Sequence, residues 1–150
     1  MRWIAVVAAL LALAVAGCGG GDVEQSNAYV DSVNLAQTRF ASSFERLARD
    51  ITSTSTPAQD RATLRSIGSS LDATVLDLRK IKPPEKVKAQ HDQLVNAIAD
   101  YGTAIGEAQQ KLGGTPEQAT AAEARLAADT AETSTKVNAA IAAINQKLRE

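Results

Sequence analysis

The residues of this 150-residue chain best suited to chemistry are its single cysteine, Cys18, and its single histidine, His91. His91 could bind a metal ion or act as a base, but metal sites need several converging ligands. A di-metal site in a helical bundle would need a Glu three residues before the His on two helices, and position 88 is Lys. We therefore expect a partly buried, hydrogen-bonded or hydrated His91 and predict no metal site.

The other reactive side chains do not suggest a catalytic site. Serines and threonines are common, but a single histidine is available to activate them as nucleophiles. Asp72 and Asp77 lie on a helical face that we expect to be exposed, whereas paired acids for hydrolysis need a cleft. The glycines at 19–21 lack the following Lys-Ser/Thr pair of a phosphate-binding loop. The sequence therefore predicts no catalytic residue, no cofactor and no enzyme activity.

Cys18 closes a segment typical of exported proteins. Arg2 precedes an unbroken apolar run over residues 4–16, and small residues follow, which is the order of a secretory signal. The run is 13 residues long, shorter than the roughly 20 residues that a bilayer-spanning helix needs. A cleaved signal is therefore favoured over a permanent transmembrane helix.

The last four residues of this segment, Val15-Ala16-Gly17-Cys18, resemble the lipobox of bacterial lipoproteins, with Val in place of the commoner Leu. The resemblance implies that the Cys18 thiol receives a diacylglyceryl group and that cleavage precedes Cys18. It also implies that the new amino terminus is usually acylated. One acyl chain holds a protein to a membrane only marginally, whereas two or three make the attachment stable.

These features divide the chain into three parts: a lipoprotein signal peptide over 1–17, a flexible lipidated tether over 18–26, and a helical domain over 27–150. We expect the mature protein on the extracytoplasmic face of the cell membrane. Removing Arg2 leaves 15 basic and 17 acidic residues, a net charge of −2. That balance argues against nucleic acid as a partner.

Apolar residues recur every three or four positions through four segments, 27–52, 57–81, 84–112 and 116–148, and no segment shows strand-like alternation. Thr56-Pro57 and Thr115-Pro116, each followed by a Gln, predict capped helix starts. We predict an all-α, up-down-up-down four-helix bundle. A three-helix arrangement, with the fourth helix partly detached or used in an oligomer, is the alternative. The polar segment 129–135 could also kink or break that helix.

Some residues inside these helices depart from a plain apolar stripe. Gln37 is the single polar residue in the stripe of the first helix. Gly102 and Gly106 predict a close approach by a neighbouring helix. Phe40, Phe44 and Tyr101 should lie at similar heights, as an aromatic core layer or, alternatively, around a small apolar ligand.

Basic residues are concentrated near the second turn and the carboxyl end. We name these residues the basic collar: Arg79, Lys80, Lys82, Lys86, Lys88, Lys147 and Arg149. If the tether fixes this end of the bundle near the membrane, each could add about 1 kcal/mol of attraction to anionic headgroups. The alternative is that most of them simply complement helix dipoles at carboxyl ends.

The segment from Leu78 to Ile98, which includes Pro83-Pro84 and His91, resembles uncharacterised helical lipoproteins of high-GC Gram-positive bacteria. This resemblance implies no activity. We expect the bundle to act as a binding or interaction module for an envelope protein or polymer.

Two other roles remain open. One is a carrier of a small ligand or metal in the bundle core near His91, Gln37 and Thr74. The other is a structural or spacer lipoprotein, possibly oligomeric, although the chain lacks the carboxyl-terminal Lys of lipoproteins linked to peptidoglycan.

Overall fold

The computed structural model describes residues 21–49 and 55–150. Four α-helices follow one another, with one turn of 3-10 helix before the third, and no strand occurs in these two stretches. The helices are α1 (Gly21–Ala48), α2 (Pro57–Lys80), α3 (Lys88–Lys111) and α4 (Pro116–Arg149), and the 3-10 turn is Glu85–Val87. The predicted all-α bundle is confirmed.

The first helix begins earlier than predicted. The sequence predicts a flexible tether up to residue 26, but α1 already includes Gly21, and Ser26 is buried. Residues 22–26 contain no proline or glycine, so nothing in their sequence stops the helix from extending towards its amino terminus. Residues 18–20 of the predicted tether, and the signal over 1–17, lie outside the described residues.

The third helix begins later than predicted. Residues 82–84 belong to no helix, and the backbone N–H of Val87 donates to the carbonyl of Pro84 to form the 3-10 turn (2.9 Å). Two consecutive prolines remove two backbone donors and favour extended backbone before each ring. The regular helix therefore starts at Lys88, and Val87 becomes a fully buried core residue.

Both predicted capping boxes are present. The amide of Gln59 accepts from the backbone N–H of Thr56 (2.8 Å), while the Thr56 hydroxyl accepts from the backbone N–H of Gln59 (3.3 Å). Thr115 and Gln118 repeat this exchange at the start of α4. A cap of this kind typically stabilises a helix by about 1 kcal/mol, so the starts of α2 and α4 are set locally.

The fourth helix is continuous through residues 129–135. Ion pairs from Arg125 to Asp129 and from Lys136 to Glu132 bridge the exposed side of this polar stretch. On its other side α4 packs along α3 and contributes Leu126 and Ile141 to the core. The alternative with a partly detached fourth helix is therefore wrong.

In the described residues, the buried apolar side chains form two clusters, and Ile98 packs against both. One cluster draws on all four helices and includes Val33, Leu78, Leu94 and Ile144; the other includes Phe40, Leu71, Tyr101 and Leu126. Among the described helices, none combines the length and apolarity needed to cross a bilayer.

Candidate ligand cavity in the helical bundle

His91 is held from two directions. It is 3% exposed, and its Nε2 lies 3.2 Å from the carbonyl oxygen of Leu78. A carbonyl can only accept, so Nε2 carries the hydrogen and Nδ1 accepts from the hydroxyl of Tyr29, also at 3.2 Å. Burial lowers the pKa of His91, partly offset by the Leu78 carbonyl. The histidine therefore joins α1, α2 and α3 as a neutral hydrogen-bonding group.

The other residues considered as metal ligands or ligand-binding residues do not lie around His91. Within residues 21–49 and 55–150, no group of three or more His, Cys, Asp or Glu is placed to hold a metal ion. Cys18 lies outside the described residues, so its lipidation stays a prediction. Thr74 and Gln37, grouped with His91 in the sequence analysis, line a separate cavity.

That cavity lies within the bundle, where residues of all four helices converge. In the described part of the chain, α1 packs on α2, α2 on α3, and α3 on α4, while α1 and α4 make little direct contact. The cavity has a volume of about 70 Å³. Its lining comes from all four helices: Gln37, Phe40, Leu71, Thr74, Leu94, Ile98, Tyr101, Thr130, Thr133, Ser134, Val137 and Asn138.

Most of the buried polar groups in this lining already have partners. The Thr130 hydroxyl donates to the Leu126 carbonyl (2.7 Å), so it must accept from the hydroxyl of Tyr101 (2.9 Å). The Thr74 hydroxyl donates to the Ser70 carbonyl (2.8 Å). Burial raises the pKa of Tyr101, which keeps its phenol protonated as the donor.

Gln37 differs from these residues. Its side chain is 8% exposed, and its amide nitrogen Nε2 is buried without a hydrogen-bond partner. Of the cavity-lining atoms in the described residues, this nitrogen is the one buried polar atom left unsatisfied. The site is therefore an apolar space with one available buried donor.

The sequence anticipated this site in part. Phe40 and Tyr101 line the cavity together, whereas the side chain of Phe44 is outside the described residues. The sequence does not predict that residues 130–138 of α4 contribute to this cavity. Thr130 and Thr133 occupy apolar-stripe positions, and that was the available signal.

The basic collar lies on the surface. Its side chains are exposed except Lys147, which is half-buried. Lys80 pairs with Asp77 and Lys88 pairs with Asp92. The 3-10 turn contacts both α3 and α4, and Val87 shares a core cluster with Leu148. The two sequence-distant parts of the collar therefore lie towards the same end of the bundle.

Comparison of the chain with protein-family models, curated proteins and solved structures found no significant match.

Proposed function

We propose that this protein is a lipoprotein of the cell envelope, held on the extracytoplasmic face of the membrane, whose helical bundle acts as a binding module. The observation that carries the location is the order of Arg2, the apolar run over 4–16 and the Val15-Ala16-Gly17-Cys18 motif. The binding role is supported by a cavity that the helices line but do not fill.

A tether of this length would orient the bundle. From Cys18 to Gly21 the chain can span at most about 10 Å, so the start of α1 would stay close to the membrane surface. The Tyr29–His91–Leu78 bonds hold α1 beside the end of α2 and the start of α3. This pattern supports helices of alternating direction, with the basic collar at the membrane-proximal end.

Metabolic labelling with palmitate tests the anchor directly. We expect label and membrane association in the wild-type protein, and loss of both in Cys18→Ala, because the thiol is the attachment point. Asn27→Ala, a substitution at an exposed position of α1, serves as the matched control and should label normally. Equal labelling of wild type and Cys18→Ala, or no labelling of either, would remove the lipoprotein proposal.

Within the binding role, the structure favours the cavity at Gln37 and Thr74 over a metal site at His91. Both ring nitrogens of His91 are engaged by protein atoms, whereas Gln37 has an unused donor. Calorimetry with divalent metals would test this preference, and metal binding that disappears in His91→Ala would reverse it.

A further inference from the structure

We propose that the cavity lined by the four helices binds a small, uncharged, largely apolar molecule carrying an oxygen that accepts a hydrogen bond from Gln37 Nε2. Ketones and esters on an alkyl chain belong to this class. The inference rests on the proposed binding role of the bundle and specifies its ligand. It does not depend on the lipid anchor at Cys18.

The first step concerns Gln37 itself. A buried polar group without a partner typically costs about 1–3 kcal/mol relative to a satisfied one. Gln37 lies in an otherwise apolar stripe, where a leucine would avoid that loss. A bound acceptor would satisfy the amide and recover the lost hydrogen bond.

The second step concerns the form of the ligand's polar group. The hydroxyl hydrogens of Tyr101, Thr130 and Thr74 are committed to protein acceptors. In the amide orientation of this structure, the unsatisfied buried atom of Gln37 is the donor nitrogen, so the complementary ligand atom is an acceptor. A carbonyl or ether oxygen satisfies this condition without needing a hydrogen of its own.

The third step concerns charge. The described residues that line the cavity include no Lys, Arg, Asp or Glu. A carboxylate placed beside Gln37 would lose its hydration without a compensating cation, which is strongly unfavourable in an apolar space. The lining therefore selects a neutral oxygen over an ionised one.

The fourth step concerns size and access. An apolar cavity of about 150 Å³ can hold benzene, and the present space is about 70 Å³. A ligand would therefore be held by its inner part while the remainder extends out of the cavity. Thr133, Ser134 and Asn138 are half-buried polar residues on the α4 side of the cavity, so a protruding portion would meet a polar rim.

The test uses full-length protein in isolated membranes and three photoactivatable decyl probes: a methyl ketone, the matching carboxylic acid and the matching alkane. Each carries the same diazirine and alkyne. We expect the ketone to label α1 and α4 at cavity-lining residues, and to label them more strongly than the acid or alkane. Loss of one hydrogen bond, about 1 kcal/mol, should weaken apparent ketone affinity about fivefold in Gln37→Leu.

Matched variants separate binding from folding. Gln93→Leu makes the same change at an exposed position of α3 and should label as wild type. Ser134→Phe should block the cavity, while Ser69→Phe adds the same ring to an exposed site on α2. If Ser134→Phe does not fold, Gln37→Leu still tests whether the amide binds the ketone. That variant should fold, because it removes an unsatisfied buried group.

Several outcomes would overturn the proposal: unchanged ketone affinity in Gln37→Leu, preference for the acid, or labelling without enrichment at the cavity. Equal labelling by the alkane and the ketone would show that an apolar space exists but that Gln37 has water as its partner. Ketone labelling retained in Cys18→Ala would separate the two proposals, since palmitate incorporation alone reports the anchor.

Discussion

The hydroxyl of Tyr29 donates to Nδ1 of His91, 62 positions further along the chain, and the rings meet edge to face at 5.6 Å. The Nε2–H group of His91 in turn donates a hydrogen bond to the Leu78 carbonyl. One imidazole thus connects three helices through buried hydrogen bonds. Such a connection depends on the neutral form of the ring.

Stability should therefore fall as the pH falls through the range in which histidine titrates. Burial lowers the pKa of folded His91 below its unfolded value of about 6.5. The unfolded chain then binds the proton more readily, so the His91 contribution to the free energy of unfolding decreases from about pH 7 downwards. Below the folded pKa this decrease levels off.

Urea unfolding of a chain comprising residues 19–150, measured between pH 8 and pH 5, would detect the effect. His91→Phe removes the titrating group while retaining the neighbouring Asp92 and Lys88, which also influence the pKa of His91. The difference in unfolding free energy between wild type and His91→Phe should shrink as the pH is lowered. A pH-independent difference would contradict the lowered pKa.

Tyr29→Phe should destabilise the fold by about 1–2 kcal/mol, because it leaves the Nδ1 acceptor of His91 buried without a donor. Tyr101→Phe is the matched control. Thr130, the partner of Tyr101, keeps its bond to the Leu126 carbonyl, so the loss should be smaller. Thermal unfolding of both variants measures the two destabilisations. A larger destabilisation by Tyr101→Phe than by Tyr29→Phe would contradict this prediction.

Gln37→Leu should raise the free energy of unfolding of the ligand-free protein by about 1 kcal/mol, because it removes an unsatisfied buried amide. Gln93→Leu, at an exposed position, should change it by less than about 0.5 kcal/mol. Urea unfolding measures both. Marked destabilisation by Gln37→Leu would mean that the amide has a structural partner.

Two glycine substitutions should have opposite effects. A Cβ added at Gly106 meets no atom within 4 Å, so Gly106→Ala should stabilise α3 by about 0.5–1 kcal/mol. A Cβ at Gly114 would collide with the amide of Gln118, which belongs to the cap of α4. Gly114→Ala should therefore destabilise by about 1 kcal/mol, the usual effect of losing a cap. Circular dichroism melting curves distinguish the two.

The basic collar should strengthen attachment to anionic membranes. Lys82 and Lys86 are exposed and lie beside the 3-10 turn. Replacing both with Gln should remove about 2 kcal/mol of attraction, roughly a thirtyfold loss of affinity for vesicles rich in anionic lipid at low salt. Lys111→Gln with Lys136→Gln is the control pair. An equal loss in both pairs would reveal a general charge effect.

Periodicity and capping allowed most of the fold to be predicted, because a helix start such as Thr115-Pro116 depends on neighbours a few residues away. Contacts between residues far apart in the chain are harder to predict from the sequence. Gly102 and Gly106 predict a close approach by another helix, but a Cβ built at Gly106 meets no atom within 4 Å, and one built at Gly102 meets Asp72 and Leu71 of α2 only at ordinary distances of 3.8 and 3.9 Å. Tyr29 carried no local signal that it would bond to His91, since that contact depends on how three helices assemble.

The position of Gln37 along α1 bears on how a ligand could arrive. It lies 16 residues beyond Gly21, about 24 Å along the helix axis. In an anchored chain with α1 upright, the cavity would stand clear of the headgroup layer. In that orientation a ligand could not diffuse laterally from the bilayer into the cavity. It would have to cross water or be delivered by another protein.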